Sequence, residues 1–191
     1  MTKLIDVQKT SIKRFFDEAR GCAAKQWGFA AMLTTFPVIL SVSEAVYYHQ
    51  SGSISSPPND KDLFKYFAAS MADKTWLVPR VPNSSSSDQD IAIKLSQTRD
   101  GLVHQLSLPN YIGMVNTKTD VKEFFKKNPA AKYVISVVEF VEAAKQTVEQ
   151  IIQTYPNISF DPNPKGNPRT PADRVILPDG TSGSAASKLT I

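Results

Sequence analysis

The residues best equipped for chemistry in this chain lie within one short stretch. Residues 97–106 read QTRDGLVHQL, which sets Arg99, one of six arginines, five positions ahead of His104, one of two histidines, with Asp100 beside the arginine. An imidazole titrates near neutrality and can accept or return a proton. A guanidinium is a permanent cation whose planar fork suits a phosphate that gains charge during reaction. Together, groups of these types could serve the metal-free cleavage of a phosphodiester. A structural reading competes. Arg99 would pair with Asp100 or another carboxylate, and His104 would satisfy a loop carbonyl.

Other catalytic signatures are absent. The chain contains no GxSxG elbow, P-loop, GxGxxG, HExxH or EF-hand loop. Cys22 is the single cysteine, so neither an internal disulfide nor a cysteine-based zinc site can form, and a reducing cytoplasm is the expected compartment. No metal and no cofactor are expected. His49 follows Tyr47-Tyr48 at the end of an apolar segment, where a cationic imidazole would favour helix C-terminal carbonyls rather than catalysis. The net charge of +4 is compatible with a polyanionic partner. Lys118, Lys122 and Lys126, with Lys127 and Lys132 beside them, could line a phosphate-binding rim, although a solvated helix face is the ordinary reading of such lysines. Trp27, Trp76 and Tyr111 could stack on bases, with Trp27 better assigned to the core.

The elements that must carry these groups are helical. At 191 residues, with 41% apolar and 21% charged residues, the chain has the length and composition of one soluble globular domain. The first twenty residues mix charges and hold no signal-peptide core. A first helix is predicted over 4–20, with Ile5, Ile12, Phe15, Phe16 and Ala19 inward and Gly21 as a break. A second is predicted over 23–49, kinked at Pro37. Its span Gln26–Ser43 is free of charge for 18 residues, long enough to cross a membrane, but its hydroxyls, Pro37 and Glu44 favour a buried core helix. A third helix over 61–72 is capped by Asn59 or Asp60 and buries Leu63, Phe64, Phe67 and Met71. The connector VPRVPNSSSSDQD follows, with a mobile tip.

A fourth helix from Asp88 carries the Arg–His pair, with Ile91, Leu95, Leu102 and Leu106 within about 60° of one another at helical spacing. A short helix capped by Thr119 and a last helix over 130–154 complete a bundle over 1–155. The last helix keeps a 3.6-residue stripe for six turns, which outweighs the strand preference of YVISVV. Residues 156–191 hold six of the thirteen prolines and form a predicted extended C-terminal tail, with a turn at LPDGTSG that could close a short hairpin. The fold class expected is all-α, with four to six helices.

Arg99, Asp100 and His104 fit Arg, a polar residue, three positions, then His. The pattern resembles the motif of the HEPN superfamily, compact helical bundles that include metal-independent RNases of toxin–antitoxin, CRISPR-linked and antiphage systems. The apolar helix before the motif and the long helix after it are also similar. The resemblance covers about residues 1–155, with six residues carrying its specificity. It implies an endoribonuclease of bacterial defence or toxin–antitoxin type that leaves a 2′,3′-cyclic phosphate and a 5′-hydroxyl, with His104 as acid/base on the ribose 2′-hydroxyl, Arg99 as phosphate clamp and Asp100 orienting either one, or else a non-catalytic binding bundle of the same fold. Five residues along a straight helix turn by about 140°, so one helix does not readily aim Arg99 and His104 at one phosphate. The resemblance implies a homodimer whose two motifs share a cleft, with Gly101 allowing close helix approach. RNA and a protein partner are the expected ligands, and no membrane association is favoured.

Overall fold

The structure is a computed structural model that describes residues 2–51, 58–82 and 86–155. Two long helices come first, α1 (Thr2–Ala24) and α2 (Gly28–Ser51). The predicted break at Gly21 does not occur, and α1 continues through it. The chain instead stops at Gln26, whose φ of 63° is left-handed. There the Trp27 N–H donates to the Cys22 carbonyl and the Gln26 N–H to the Ala23 carbonyl, the paired closure that ends a helix through a left-handed residue. Trp27 is thrown outward by this turn and is 58% exposed, which corrects its assignment to the core.

Helix α2 buries Ala31, Met32, Phe36, Ile39, Val42 and Ala45, and it packs against α1 and against the later helices Asp60–Ser70 and Val137–Thr154. Its hydroxyls at Thr34 and Thr35 donate back to the Ala30 and Ala31 carbonyls, which removes their need for water. Pro37 lies inside the helix without ending it. The span Gly28–Gln50 is long and apolar enough to cross a membrane, and 56% of its apolar 18-residue window is buried within the protein. Phe16 and Ala19 of α1 are buried as expected, whereas Phe15 is about half exposed.

Asn59 caps α3 (Asp60–Ser70) by accepting from the Asp62 N–H. Ser87 and Asp90 form a reciprocal capping box at the start of α4 (Asp88–Asp100). The two helices pack along each other. A single π turn, Gly101–Gln105, extends α4. The short helix α5 (Val121–Lys127) follows a 3₁₀ turn at Lys118–Asp120, capped by Thr117 with Asp120 rather than by Thr119.

The bundle carries a small three-stranded sheet that helical periodicity did not reveal. Strand β1 (Leu77–Pro79) pairs antiparallel with β3 (Tyr133–Ser136), and β2 (Ile112–Val115) pairs parallel with β3 on the other side. Helix α5 lies in the β2–β3 crossover, as parallel neighbours require. Its Phe124 ring covers Gly113, leaving no room there for a Cβ. Arg80 fastens the crossover: its guanidinium donates to the Ala131, Phe125 and Asn128 carbonyls and lies 4.7 Å from the Phe125 ring centroid.

The helix predicted over 130–154 is therefore a strand followed by α6 (Val137–Thr154). Tyr133–Ser136 has strands on both sides, and its β-branched residues are buried on both faces. Such a central strand reads as a continuous apolar run. From Val137 onward the expected helical stripe is buried at Val137, Val141, Ala144, Val148 and Ile151, while Val138 is exposed and Ile152 and Tyr155, the latter just past the helix, are half-buried. The predicted tail and hairpin at 156–191 lie outside the described residues, as do the tip at 83–85, the loop at 52–57 and the side chain of Ile5.

Sheet and bundle share one core. The buried Trp76 ring, just ahead of β1, meets Phe140 of α6 at 4.7 Å, and Phe36 lies between Phe140 and Phe64 at 6.1 and 5.6 Å. Trp76→Ala is expected to lower unfolding free energy by about 3–5 kcal/mol, because the cavity opens where sheet and bundle meet. Urea denaturation followed by circular dichroism measures this.

Candidate functional site

The Arg–His stretch falls where α4 changes its hydrogen bonding. The Leu106 N–H donates to the Gly101 carbonyl, five residues back, and Leu106 adopts a left-handed backbone with φ 50°. The Ser107 N–H also reaches the Gly101 carbonyl at 3.1 Å. A Cβ on Gly101 would come within 2.4 Å of the Ser107 carbonyl oxygen. The glycine is therefore needed by its own chain. Its open face is filled by Ser107 and Pro109, which corrects the expectation that it admits a partner helix.

The π turn has two consequences. It moves Leu106 off the α4 seam, so Ile91, Leu95 and Leu102 are buried while Leu106 is 75% exposed, against expectation. It also rotates the chain by only about 80° per residue within the wide turn, so Arg99 and His104 diverge by less than about 90° rather than 140°. The angular objection to one helix serving both groups is thereby reduced.

Arg99 is half-buried, and its Nη1 lies 2.9 Å from Asp100 Oδ1 and 3.3 Å from Asp60 Oδ2 at the start of α3. The guanidinium thus joins α3 to α4 between two carboxylates. This part of the structural reading holds, with Asp60 as a partner that sequence spacing did not indicate. The other part does not: His104 is exposed and makes no hydrogen bond or ion pair with the described residues. Val103 and Leu106 beside it are exposed as well.

The lysines expected to bind RNA lie on another part of the fold, at α5 and the turn before it. Lys118 is exposed and donates to Thr75 Oγ1 at 2.5 Å. Thr75 in turn uses its backbone N–H and hydroxyl to hold Asp73 below its ordinary carboxylate value. Lys126 and Lys127 both face Glu123, at 3.4 and 3.6 Å, and such exposed pairs contribute little to stability. Lys122 is exposed without a partner among the described residues. Trp76 is buried and offers no stacking face. His49 sits in the last turn of α2, edge-on to Tyr155 at 5.2 Å, consistent with a structural role. Among the described residues no cluster of three His, Cys, Asp or Glu is placed to hold a metal ion.

A second polar site, not anticipated from the sequence, lies on a different face of α4. Lys94 is 7% exposed and its Nζ sits 4.1 Å from the Tyr133 ring centroid. It lines an open groove of about 540 Å³ together with Asp90, Ile93, Asn110, Tyr111, Ala130, Lys132 and Tyr133. Burial pushes the Lys94 ammonium below the ordinary lysine value of 10.5, against the opposing pull of Asp90. Burial, with Tyr133 nearby, pushes the Tyr111 phenol above 10.0. Tyr111 donates to Gln97 Oε1. The sequence did carry a signal for this site. Lys94 stands three residues after Ile91 and four before Thr98, on the margin of the apolar seam, where a lysine is out of place.

The chain matches no protein-family model, no curated protein and no solved structure.

Two outcomes test this geometry. Gly101→Ala should cost about 1–3 kcal/mol through the clash with Ser107, read from urea denaturation, with the π turn lost. Replacement of Lys94 tests its burial. Between its lowered folded value and 10.5 the unfolded chain binds more protons at this group than the folded chain. Wild-type stability should therefore rise relative to Lys94→Met as pH climbs toward 10.5, and the penalty should be complete well below the folded value. Unfolding free energies of both proteins at neutral and alkaline pH measure the difference.

Proposed function

We propose that the chain is a HEPN-like metal-independent endoribonuclease acting as a homodimer. The observation that carries this reading is the exposed His104, without a partner among the described residues, on a π turn just after Arg99. A π turn interrupts the regular ladder at a cost in hydrogen-bond geometry and recurs at functional positions. In the proposed reaction His104 takes the ribose 2′-hydroxyl proton, and the 2′-oxygen attacks the adjacent phosphorus. The bond to the 5′-oxygen breaks, and the partner subunit's copy of the histidine returns a proton to it. The products are a 2′,3′-cyclic phosphate and a 5′-hydroxyl. Arg99 stabilises the extra charge on the phosphoryl oxygens.

Dimerisation is supported by the residues that flank His104. Val103 is 45% exposed and Leu106 75%, and adjacent apolar side chains on an open surface favour association. A two-fold contact through this turn would bring both motifs into one groove.

A second reading, a non-catalytic bundle, is favoured by the Asp60–Arg99–Asp100 cluster. Two carboxylates already occupy the guanidinium and would repel a phosphate. On the catalytic reading, RNA must displace at least one of them, and the exchange of one oxyanion for another makes this feasible at a partly exposed site.

The test is cleavage of single-stranded RNA by purified protein in the presence of a chelator, with light scattering for the oligomeric state. The catalytic reading expects a dimer, cyclic phosphate ends, and at least about 100-fold slower cleavage by His104→Ala at unchanged melting temperature. Leu106→Glu should yield monomers without activity. A wild-type monomer without cleavage leaves the binding bundle as the function, and cleavage that survives His104→Ala removes the imidazole from the mechanism.

A further inference from the structure

Lys94 presents an electrostatic problem that the fold leaves open. A nearly buried ammonium ordinarily has a carboxylate partner. Here its one hydrogen bond among the described residues is a long contact of 3.4 Å to the Asp90 carbonyl. The Asp90 carboxylate itself is engaged elsewhere: its Oδ2 accepts from the Ser87 hydroxyl at 2.7 Å and the Ser87 N–H at 3.1 Å. The Tyr133 ring supplies a negative face but no counter-ion. Lys132, on the rim of the same groove, is exposed, and its side chain has no partner among the described residues.

The groove therefore holds two lysines against one carboxylate already used as a cap. Asn110 adds an amide, and Tyr111 and Tyr133 add phenols. The volume of about 540 Å³ is in the range of small-molecule sites. A phosphate monoester carries a charge between about −1.5 and −2 at neutral pH, opposite in sign to the net positive charge that two ammonium groups and the Asp90 carboxylate give the groove. The walls come from α4, the loop before β2 and the loop leading into β3, so three separate chain segments converge on the groove.

We propose that this groove binds the phosphoryl group of a small phosphorylated ligand, with Lys94 as the buried counter-charge and Lys132 closing from the rim. The ligand's organic body would lie along Tyr111 and Tyr133. This site is separate from the Arg99–His104 surface. On α4 Lys94 and Arg99 point about 140° apart, and the inference stands or falls independently of RNA cleavage.

Thermal unfolding of the full chain with inorganic phosphate, adenosine 5′-monophosphate or unphosphorylated adenosine, each at about 10 mM, tests the assignment. Phosphate or the monophosphate should raise the midpoint by about 2–5 °C, and adenosine should leave it unchanged. A larger response to the monophosphate assigns the ester; a response to phosphate alone assigns the free ion, and both uphold a phosphoryl site. Lys94→Met, which should fold at least as well as wild type, should abolish the shift, and Lys132→Met should weaken apparent affinity several-fold. Protection of Lys94 from an amine-acylating reagent, mapped by mass spectrometry, gives a second readout. No shift with either phosphate compound, an equal shift in Lys94→Met, or an equal shift with adenosine would overturn the proposal.

Discussion

The fold depends on one continuous backbone piece that is a central strand at one end and the principal core helix at the other. Within Tyr133–Thr154 the chain changes from β3 to α6 between Ser136 and Val137, both fully buried. The junction is fixed by backbone bonds from outside: the Ser136 N–H donates to the Trp76 carbonyl, and the Val138 N–H donates to the Asn116 carbonyl. The Ser136 hydroxyl meets the Glu139 carboxylate one turn into the helix. With no flexible residue between them, the sheet cannot move without moving α6. The segments on either side of β3, at Trp76–Pro79 and Ile112–Val115, are thereby held to the bundle. Arg80 extends the same logic by tying the carbonyls around the end of α5 to the strand that β3 holds.

This arrangement explains what the sequence disclosed. Helical spacing located α1, α2, α3 and α4 and most of their buried residues, because each has one apolar face against a common core. Capping chemistry offered Asn59, with Asp60, as the start of α3, and α4 begins at Asp88 as expected. Spacing failed wherever the environment was two-sided. Tyr133–Ser136 has the composition of a strand, yet it leads without interruption into a true helical stripe, so the period of the longer segment concealed the shorter one. Strands β1 and β2 are three and four residues long and owe their existence to β3. No local pattern in LVP or IGMV announces a partner more than a dozen residues away.

The reactive stretch shows the same limit. Residue types at Arg99, Asp100 and His104 were legible, as was the carboxylate partnership of the arginine. The π turn was not. It arises because Gly101 lets the Ser107 carbonyl approach closer than any side chain would allow, and because Leu106 accepts a left-handed backbone. One wide turn at the end of a helix changes the direction of every later side chain, which is why Leu106 leaves the predicted seam while Leu102, one turn earlier, remains in it.

Helix α4 presents two cations to two different faces, and their surroundings contrast. Arg99 is the better solvated of the two and makes ion pairs with two carboxylates; Lys94 is more deeply buried and, among the described residues, makes no ion pair, the nearby Asp90 carboxylate being engaged by Ser87. Were stability the only constraint, the carboxylates would be more useful beside the buried charge, where the desolvation cost is greater. A methionine at position 94 could fill the same space against Tyr133 without that cost. The placement of a lysine there leaves positive charge only partly offset by Asp90 in a groove, while the doubly paired arginine joins α3 to α4 beneath the turn that carries His104. The uneven distribution of counter-charge along a single helix therefore separates a cation held directly between two carboxylates from one whose neighbouring carboxylate is committed to a helix cap.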